Sequence, residues 1–349
     1  MRILVTGGAG FAGSSLAIAC QGHAPDGQVV CMDNLYRRGA ELNLPRLKAS
    51  GVQFHHGDVR NAQDFPPGPF DFLIECSAEP SVLAGIGNSP DYLMKTNLIG
   101  AYNCLEKARQ WESGVLFLST SRIYPIERLE SHPWQEDSTR FRWCDEGTPG
   151  ITSAGVREEL DLKGARSLYG YTKLSAELLI EEYRSAFGLR TIVNRCGVLA
   201  GPWQFGKVDQ GVAALWVLAH HFGRPLSYIG YGGQGKQVRD FLHVDDLCEL
   251  VIEQLTSFER WDGWVGNVSG GLGNSASLQE LTAFCQEVTR SKIEIKSVSA
   301  NRPGDLRIYI GDCALLFSRT TWRPKRNVRT IVQDISEWVR KQAESLKSL

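Results

Sequence analysis

Short apolar runs alternate with longer segments of helical periodicity through the first third of the chain. The predicted strands cover residues 2–6, 28–32, 52–55, 70–75 and 114–119, and the predicted helices cover 11–20 and 92–111. Strands that are apolar along nearly their whole length are buried on both faces, which is typical of a parallel sheet with helices on each side. The pattern therefore predicts an α/β fold with a doubly wound parallel sheet and right-handed crossovers.

The periodicity breaks after the last of these strands. Residues 125–167 are polar, rich in Gly, Trp, Glu and Arg, and show no clear period. A segment of this length without secondary structure is more often a lid or a substrate loop than a spacer. A helix over 168–187 and a strand over 190–194 then resume the α/β order.

The second half of the chain indicates a smaller, mixed α/β domain. Beyond Gly201-Pro202, Gly and Pro become frequent and the elements shorten. Ser277-Leu-Gln-Glu280 has the spacing of a capping box and predicts a helix over 278–289. The predicted domains are 1–193 for the sheet domain, with a returning segment near 235–262, and 194–349 for the substrate domain.

Composition and charge narrow the choice of partners. The 349 residues include 38 basic and 39 acidic side chains, so no broad basic face is expected for nucleic acid or anionic lipid. No apolar stretch approaches the ~18 residues of a membrane span. Nine scattered cysteines without a C-x-x-C pair indicate reduced thiols and no metal site. We expect a cytoplasmic protein with small-molecule ligands, and no nucleic-acid or membrane partner.

A glycine-rich turn joins the first predicted strand to the first predicted helix. Within Thr6-Gly-Gly-Ala-Gly-Phe-Ala-Gly13, glycines at three-residue spacing form a shifted version of the dinucleotide-binding pattern. Glycine lets the chain turn sharply and bring backbone amides to a pyrophosphate, and the helix N-terminus adds partial positive charge. The predicted contacts are Gly7, Gly10, Phe11, Ala12 and Gly13.

Residues at the end of the second predicted strand indicate whether NAD or NADP is the dinucleotide. Asp33 lies 20 residues beyond Gly13, where a carboxylate accepts hydrogen bonds from ribose hydroxyls and repels a 2′-phosphate. We therefore predict NAD. Arg37 and Arg38 could instead bind the 2′-phosphate of NADP, which remains the alternative. Asp58, after the third strand, is placed either to contact adenine or to close a turn.

A tyrosine and a lysine at Y-x-x-x-K spacing are the main candidates for chemistry. Tyr169 and Lys173 share one face of the helix predicted over 168–187. A phenol of pKa ~10 is a poor base near neutrality, and an ammonium one turn away stabilises its phenolate. Thr120 stands at the carboxyl end of a buried strand, the edge where such sheets bind ligands. We predict Thr120, Tyr169 and Lys173 as catalytic; Tyr171 is a rival base with the wrong helical offset.

These elements, in this order, resemble the extended short-chain dehydrogenase/reductase family, whose sheet domain is a Rossmann fold. Asn97-Leu-Ile-Gly100, Arg239-Asp-Phe-Leu-His-Val-Asp-Asp246 and Arg302-Pro-Gly-Asp305 are similar to further motifs of that family. The stretches Ser119–Tyr124, Ser167–Glu177 and Asn194–Gly201 are similar to its CDP-paratose 2-epimerase branch, also called tyvelose epimerase.

The resemblance implies an epimerase of a nucleotide-diphosphate sugar. In such an enzyme NAD stays tightly bound, the sugar is oxidised at C2, and hydride returns to the opposite face. A CDP-sugar is the favoured substrate, and a homodimer through helices 97–111 and 168–187, or a homotetramer, is expected. The expected cofactor contacts further include Asn34, Arg38, Asp58, Val59, Ser77, Ala78, Asn97 and Lys173. The expected substrate contacts are Ser121, Arg122, Asn194, Arg195, Gln204, Arg239 and Arg302.

Several alternatives stay open. A 4-epimerase would use the same residues with another substrate pose, and a protein that only senses the dinucleotide would keep the fold without the chemistry. A 4,6-dehydratase usually has Asp-Glu after the threonine, where this chain has Ser121 and Arg122. The family's usual His in the fourth strand is replaced by Glu75, for which we expect no role. The family's common Asn is Val198 here, which removes one polar contact to the substrate.

Overall fold

A computed structural model describes residues 1–206 and 210–347 and divides the chain into two compact units. The first unit comprises Met1–Ile123, Leu168–Arg195 and Leu247–Gly266, and the second comprises Tyr124–Ser167, Cys196–Asp246 and Asn267–Leu349. This division differs from the predicted boundaries, because Tyr124–Ser167 belongs to the second unit. Backbone hydrogen bonds from Phe141 to Lys236 and from Val156 to Ile310 join it there. The segment that returns to the first unit is Leu247–Gly266, not 235–262.

The chain forms seventeen strands and thirteen α-helices within the described residues. The strands are β1 Arg2–Thr6, β2 Gln28–Asp33, β3 Gln53–His56, β4 Phe72–Glu75, β5 Gly114–Thr120, β6 Trp134–Glu136, β7 Phe141–Trp143, β8 Ile151–Thr152, β9 Gly155–Val156, β10 Thr191–Cys196, β11 Val198–Ala200, β12 Leu226–Ile229, β13 Val238–His243, β14 Trp264–Val268, β15 Ser275–Ser277, β16 Ile295–Val298 and β17 Ile308–Tyr309. The helices are α1 Phe11–His23, α2 Leu44–Ala49, α3 Asp91–Met94, α4 Gly100–Trp111, α5 Ile126–Ser131, α6 Leu168–Phe187, α7 Val212–Phe222, α8 Val244–Thr256, α9 Phe258–Trp261, α10 Leu278–Thr289, α11 Ala314–Arg319, α12 Val328–Lys341 and α13 Ala343–Leu346.

The first unit is built on a seven-stranded sheet with the order β14-β10-β5-β4-β1-β2-β3. β1 pairs in parallel with both β2 and β4, and β2–β3 and β4–β5 are also parallel. The strand order reverses direction between β1 and β4, which makes the carboxyl ends of these two strands a topological switch point. The predicted Rossmann fold is confirmed.

The strands of this sheet are buried as their apolar sequences predict. Ile3, Leu4 and Val5 of β1 are fully buried, and every residue of β5 is buried. Helices α4 and α6 pack side by side against β5 and β10 through Leu105 and Ile180. A π-helical segment, Lys95–Ile99, joins α3 to α4 where the sequence predicts one continuous helix.

The second unit combines small sheets with a helical core. β11, β13, β15 and β17 form one sheet, and β12 pairs in parallel with β16. Residues 125–167 are not a structureless loop, because they contain α5 and the hairpins β6–β7 and β8–β9. Helices α7, α10 and α12 pack together around buried side chains such as Leu281 and Ile335. The predicted capping box of Ser277 and Glu280 is confirmed at the start of α10.

Candidate active site

The glycine-rich turn between β1 and α1 leaves no room for side chains. Gly7 has a φ of +63°, and a Cβ there would lie 2.8 Å from the backbone of Cys76 and Ser77, after β4. A Cβ on Gly13 would clash with the carbonyl oxygen of Gly7. The turn can therefore approach the loop after β4 and fold onto its own helix only with glycine at these positions.

The N-terminus of α1 is suited to an anion. Gly10 caps this helix without a side-chain hydrogen bond, and its first turn contains no acidic residue. By contrast, Ser277 caps α10 and Asn327 caps α12 with their side chains. The first backbone N–H groups of α1, on Phe11, Ala12 and Gly13, thus keep the donor capacity that a dinucleotide pyrophosphate requires. The described residues fit the predicted cofactor.

Asp33 lies beside this turn at the carboxyl end of β2. Its carboxylate accepts hydrogen bonds from the backbone N–H groups of Ala9, at 3.1 Å, and Leu35, at 2.8 Å. Burial raises the pKa of Asp33, and these donors oppose the rise. The carboxylate therefore ties the end of β2 to the glycine-rich turn. Of the two arginines that follow, Arg37 is half-buried and Arg38 is exposed.

Asp58 takes part in a local ion pair after β3. Arg60 binds both of its carboxylate oxygens, and the Asn34 carboxamide donates to Oδ2 at 2.9 Å. Burial acts to raise the pKa of Asp58, but these partners outweigh it and hold the pKa at about 2. The backbone N–H of Arg60 also donates to Asp58, so the aspartate closes a turn. Both sequence-based interpretations of Asp58 are compatible with this geometry.

The π-helical segment before α4 carries Asn97 into contact with two other elements. Its side-chain oxygen accepts from the backbone N–H of Glu79, and its nitrogen donates to the Glu79 carbonyl and, at 3.0 Å, to the Thr172 hydroxyl on α6. A π-helical bulge is frequent at functional sites, because it turns a side chain out of the regular helical pattern. Asn97 thus fastens the loop carrying Ser77 and Ala78 to the helix that carries Lys173.

Val59, which follows β3, is buried and contacts the start of α4. Its carbonyl accepts a hydrogen bond from the Asn103 side chain at 2.8 Å, and its side chain packs where a Cβ on Gly100 would lie. Ser77 is also buried, whereas Ala78 is half-buried. These residues follow β3 and β4, next to the carboxyl ends of strands on both sides of β1.

One face of α6 lies along the carboxyl end of β5. Lys173 Nζ donates to the carbonyl oxygen of Leu118 at 2.9 Å, and one turn later Glu177 accepts a hydrogen bond from the Ser119 hydroxyl. Tyr169 precedes Lys173 by one turn on the same face. α6 also packs against the 3-10 turn Ser121–Ile123 that follows Thr120. The fold therefore brings the three predicted catalytic residues to one end of β5.

The surroundings of the two tyrosines distinguish them. Tyr169 is half-buried, whereas Tyr171 is 49% exposed. The Thr120 hydroxyl accepts a hydrogen bond from the backbone N–H of Arg122 at 3.2 Å and is mostly buried, as is Ser121. Tyr169 is therefore the less exposed of the two tyrosines and interacts electrostatically with Lys173.

The buried Lys173 ammonium has an anionic partner that sequence reasoning missed. Glu75, at the end of β4, is 2% exposed and places Oε2 3.4 Å from Lys173 Nζ. Burial acts to lower the pKa of Lys173, but Glu75 and Tyr169 outweigh it and raise the pKa. A charged residue ending a strand that is otherwise apolar was the available signal, because a buried carboxylate requires a partner.

Asn194 and Arg195, predicted as substrate contacts, are both buried in the first unit, where each is paired with other side chains. Asn194 is fully buried, and its carboxamide exchanges hydrogen bonds with Gln254 and accepts one from Trp264 Nε1. Arg195 is buried in an ion pair with Glu177, with Nη2 2.8 Å from Oε2. The Asn194 carboxamide and the Arg195 guanidinium are thus both paired with side chains of the first unit.

Ser121 and Arg122 lie in the first unit, and the other three predicted substrate residues, Gln204, Arg239 and Arg302, belong to the second. Arg239 on β13 binds Asp305 at 2.7 Å and the Leu306 carbonyl at 2.7 Å. Arg302 is half-buried and begins a turn that the Asp305 N–H closes on the Arg302 carbonyl. The arginines of the two matching motifs are thus joined through Asp305. Gln204 donates to the carbonyl of Leu199 at 2.9 Å.

The described part of the chain contains neither a cluster suited to a metal ion nor a helix suited to a membrane. No group of three His, Cys, Asp or Glu side chains within residues 1–206 and 210–347 is arranged to hold a metal ion. Within the same residues, none of the helices has the length and apolar character needed to cross a membrane.

Comparison with known sequences gives matches over nearly the whole chain. Residues 3–264 match the model of the NAD dependent epimerase/dehydratase family. CDP-paratose 2-epimerase from Salmonella typhi is 30% identical over 97% of the chain and 99% of its own length. dTDP-glucose 4,6-dehydratase from Escherichia coli is 26% identical over 97% of the chain and 92% of its own length.

Solved structures share the fold. UDP-glucuronic acid 4-epimerase from Bacillus cereus superposes with a TM-score of 0.79 and 22% identity, covering 98% of the chain and 99% of its own. UDP-glucose 4-epimerase from Thermus thermophilus, in complex with NAD, gives 0.74 and 24%, covering 97% and 99%. With these matches and a glycine turn that fits a dinucleotide, the chain belongs to the NAD-dependent epimerase/dehydratase family, and NAD is its cofactor.

Proposed function

We propose that the protein is an NAD-dependent epimerase of a nucleotide-diphosphate sugar, similar to CDP-paratose 2-epimerase. The observation that carries the proposal is the face of α6 on which Lys173, bound at Leu118, lies one turn from Tyr169 at the carboxyl end of β5. The 30% identity to CDP-paratose 2-epimerase over 97% of the chain favours a CDP-sugar and reaction at C2. A 4-epimerase is the second candidate, since it would use the same residues.

The residues after Thr120 favour an epimerase over a dehydratase. Elimination of water requires an additional acid and base beside the reacting carbon atoms. Ser121 and Arg122 occupy the two positions after Thr120, and neither supplies a carboxyl group. The identity to dTDP-glucose 4,6-dehydratases therefore supports the family and the fold, while the local chemistry supports epimerisation.

The proposed mechanism assigns one task to each catalytic residue. Bound NAD would supply the acceptor and donor of the hydride that leaves the sugar carbon and returns to its opposite face. Tyr169, as phenolate, takes the proton of the sugar hydroxyl while the carbon is oxidised, and returns it on reduction. Lys173 stabilises the phenolate by its positive charge, and the Thr120 hydroxyl holds the reacting oxygen by a hydrogen bond. The keto-sugar turns within the site between the two steps, so no external reductant is consumed.

Binding of cofactor and substrate is assigned to separate groups. The amides of the Gly7–Gly13 turn would hold the pyrophosphate of NAD, and Asp33 would accept hydrogen bonds from its adenosine ribose and repel a 2′-phosphate. Arg239 and Arg302 bind the diphosphate of the sugar nucleotide, since a guanidinium matches phosphate oxygens in a bidentate way. Asp305 holds Arg239 in position for this task.

The exposed surfaces of α4 and α6 support a homodimer or homotetramer. Tyr102 on α4 and Leu178 on α6 are 46% and 56% exposed, and Ile99 beside them is 48% exposed. Large apolar side chains on two adjacent helices are typical of a surface that a second subunit covers. Sedimentation analysis of the protein, with Leu178→Asp as the disrupted variant, tests this assembly.

A nucleotide-sugar screen tests the proposed function. The isolated protein is incubated in deuterated water with CDP-, UDP-, GDP- and dTDP-sugars, and the products are followed by proton NMR. We expect one ring coupling to change while the hydrogen on the inverted carbon is retained, since direct hydride return does not exchange with solvent. A CDP-sugar inverted at C2 is the expected product, and inversion at C4 would identify the 4-epimerase.

The same screen contains the outcomes that contradict the proposal. Loss of water with deuterium incorporation would identify a dehydratase. Retention of NAD without conversion of any sugar would identify a protein that only senses the dinucleotide. Tyr169→Phe, with the ring retained and the hydroxyl removed, is the matched inactive control.

A further inference from the structure

The Glu75–Lys173 pair is buried in surroundings that make its charges interact strongly. Lys173 Nζ lies 4.3 Å from the centre of the Phe117 ring, and a small cavity lined by Glu75 is otherwise walled by Val115, Ile180 and other apolar side chains. Charges in apolar surroundings are poorly screened, so each influences the ionisation of its neighbours more than it would at a surface. Glu75 thus adds a negative charge next to the ammonium on which the proposed mechanism depends.

The pair is also connected to the cofactor-binding loop. Glu75 accepts a hydrogen bond from the backbone N–H of Ser77, one of the predicted cofactor contacts. Thr6, at the end of β1, lies opposite Glu75 in the parallel register, directly before the glycine-rich turn. The carboxylate is therefore held between the turn that would bind pyrophosphate and the lysine beside the proposed base.

We propose that Glu75 is a positioning residue, which holds the Lys173 ammonium next to Tyr169 and raises the pH at which the phenol gives up its proton. This inference rests on the proposed function for its kinetic consequence. Electrostatically, a carboxylate near the Tyr169–Lys173 couple opposes loss of a proton from that couple. A side chain without charge at this position would not oppose it.

The ionisable groups that face the pair come from each neighbouring element. Tyr169 faces it from α6, Cys104 from α4, and Cys76 from the residues after β4. Burial raises the pKa of the Cys104 thiol, so this group stays neutral over the range in which enzymes of this kind are assayed. Cys76 is the second thiol next to the pair, and a Cys76→Ser background removes it from the experiment.

Removing the charge of Glu75 makes a directional prediction. In Glu75→Gln, Tyr169 and Lys173 release their first proton as a coupled pair, and the loss of a nearby negative charge makes that release easier. We expect the acidic limb of the pH profile of kcat/KM to move down by about one pH unit. Glu75→Asp keeps the charge and should keep the limb near its wild-type position.

A readout that does not need turnover separates this inference from the proposed function. Tyrosine labelled at its ζ-carbon reports phenolate formation by NMR, and Tyr169→Phe identifies the signal of Tyr169. The Tyr169 midpoint should fall by about one pH unit in Glu75→Gln, in the protein with its cofactor bound. If no sugar reacts with the wild-type protein, the proposed function fails and this titration still decides the role of Glu75.

Glu177→Gln is the matched control. Glu177 is a buried carboxylate on α6 that pairs with Arg195 rather than Lys173. Its neutralisation should destabilise the fold and move the Tyr169 midpoint and the acidic limb less than Glu75→Gln does, since Glu177 lies two helical turns from Tyr169. Should Glu75→Gln not fold, Glu75→Leu replaces it, because leucine is uncharged at every pH and the surrounding side chains are apolar. A Tyr169 midpoint that is unchanged, or that rises, in the neutral variant that folds would overturn the proposal.

Discussion

Two buried ion pairs lie one helical turn apart along α6, and they differ in construction. Arg195 approaches Glu177 with two nitrogens, Nη2 at 2.8 Å and Nε at 3.1 Å from Oε2. Lys173 approaches Glu75 with one nitrogen at 3.4 Å. A planar guanidinium is fixed by such a fork, whereas an ammonium on a flexible stem can turn toward another partner. The Arg195–Glu177 pair fastens α6 to the sheet. In the proposed mechanism, the Lys173–Glu75 pair leaves the positive charge of Lys173 to act on Tyr169.

The largest expected effect is a loss of turnover when Tyr169, the neighbour of the Lys173–Glu75 pair, is changed. Tyr169→Phe removes the phenol and leaves the packing of the ring, so kcat should fall by about 10³-fold or more, with NAD still bound. Single-turnover kinetics and the NAD content of the purified variant measure both quantities. Turnover close to that of the wild type would remove Tyr169 from the mechanism and leave the Lys173 pair without a catalytic purpose.

Lys173→Met tests whether the positive charge of the Lys173 ammonium is needed for turnover. Without the ammonium the phenolate is not stabilised, and we expect kcat to fall by about 10²-fold. The stranded Glu75, whose pKa burial already raises, takes up a proton in the folded state. A raised folded-state pKa stabilises the protein at low pH and loses that contribution as the pH rises. The thermal midpoint of this variant should therefore increase on acidification relative to the wild type; a constant difference would contradict the charge assignment.

Arg195→Met tests the fastening pair. It leaves the Glu177 carboxylate buried without its cation, which costs about 3–5 kcal/mol in other buried pairs. We expect the thermal midpoint to fall by about 5 °C or more, while KM for the sugar nucleotide changes little. A large rise in KM with unchanged stability would restore Arg195 as a substrate contact and would remove the contrast between the two pairs.

The smallest expected effect concerns a buried carboxylate held by neutral groups. Asp240, on β13, accepts hydrogen bonds from the Ser269 hydroxyl and from the backbone N–H groups of Gly271 and Gly311. Burial raises its pKa to about 6 despite these donors. The stabilising contribution of this residue is therefore complete below the unfolded-state pKa, near 4, and is lost as the pH rises through about 6.

Asp240→Asn should remove that pH dependence. The wild-type thermal midpoint, relative to the variant, should increase by a few degrees between about pH 7.5 and about pH 5. The difference between the two proteins isolates Asp240 because all other titrating groups are common to both. A difference that does not vary with pH would show that Asp240 is ionised over the whole range.

Much of the sheet unit was predictable because its signals are local. The apolar runs at 2–6 and 114–119 became β1 and β5, and the glycine spacing placed a dinucleotide turn before α1. Tyr169 and Lys173 could be predicted to lie together, because a spacing of four residues on a helix such as α6 brings side chains to one face. The nature of residues 125–167 was not predictable, since short hairpins packed on distant segments leave no period in the sequence.

By itself, the sequence determined the fold class, the cofactor turn and the pairing of Tyr169 with Lys173, because propensity, glycine conformation and helical spacing act over a few residues. Only the tertiary structure decided which charges meet. Glu75 and Lys173 are 98 residues apart in the chain, and Glu177 and Arg195 lie on different elements. Buried charges need partners, and the packing of the whole chain decides which side chains are buried together. The partners of Asn194, Arg195 and Glu75 could therefore be identified only from the fold.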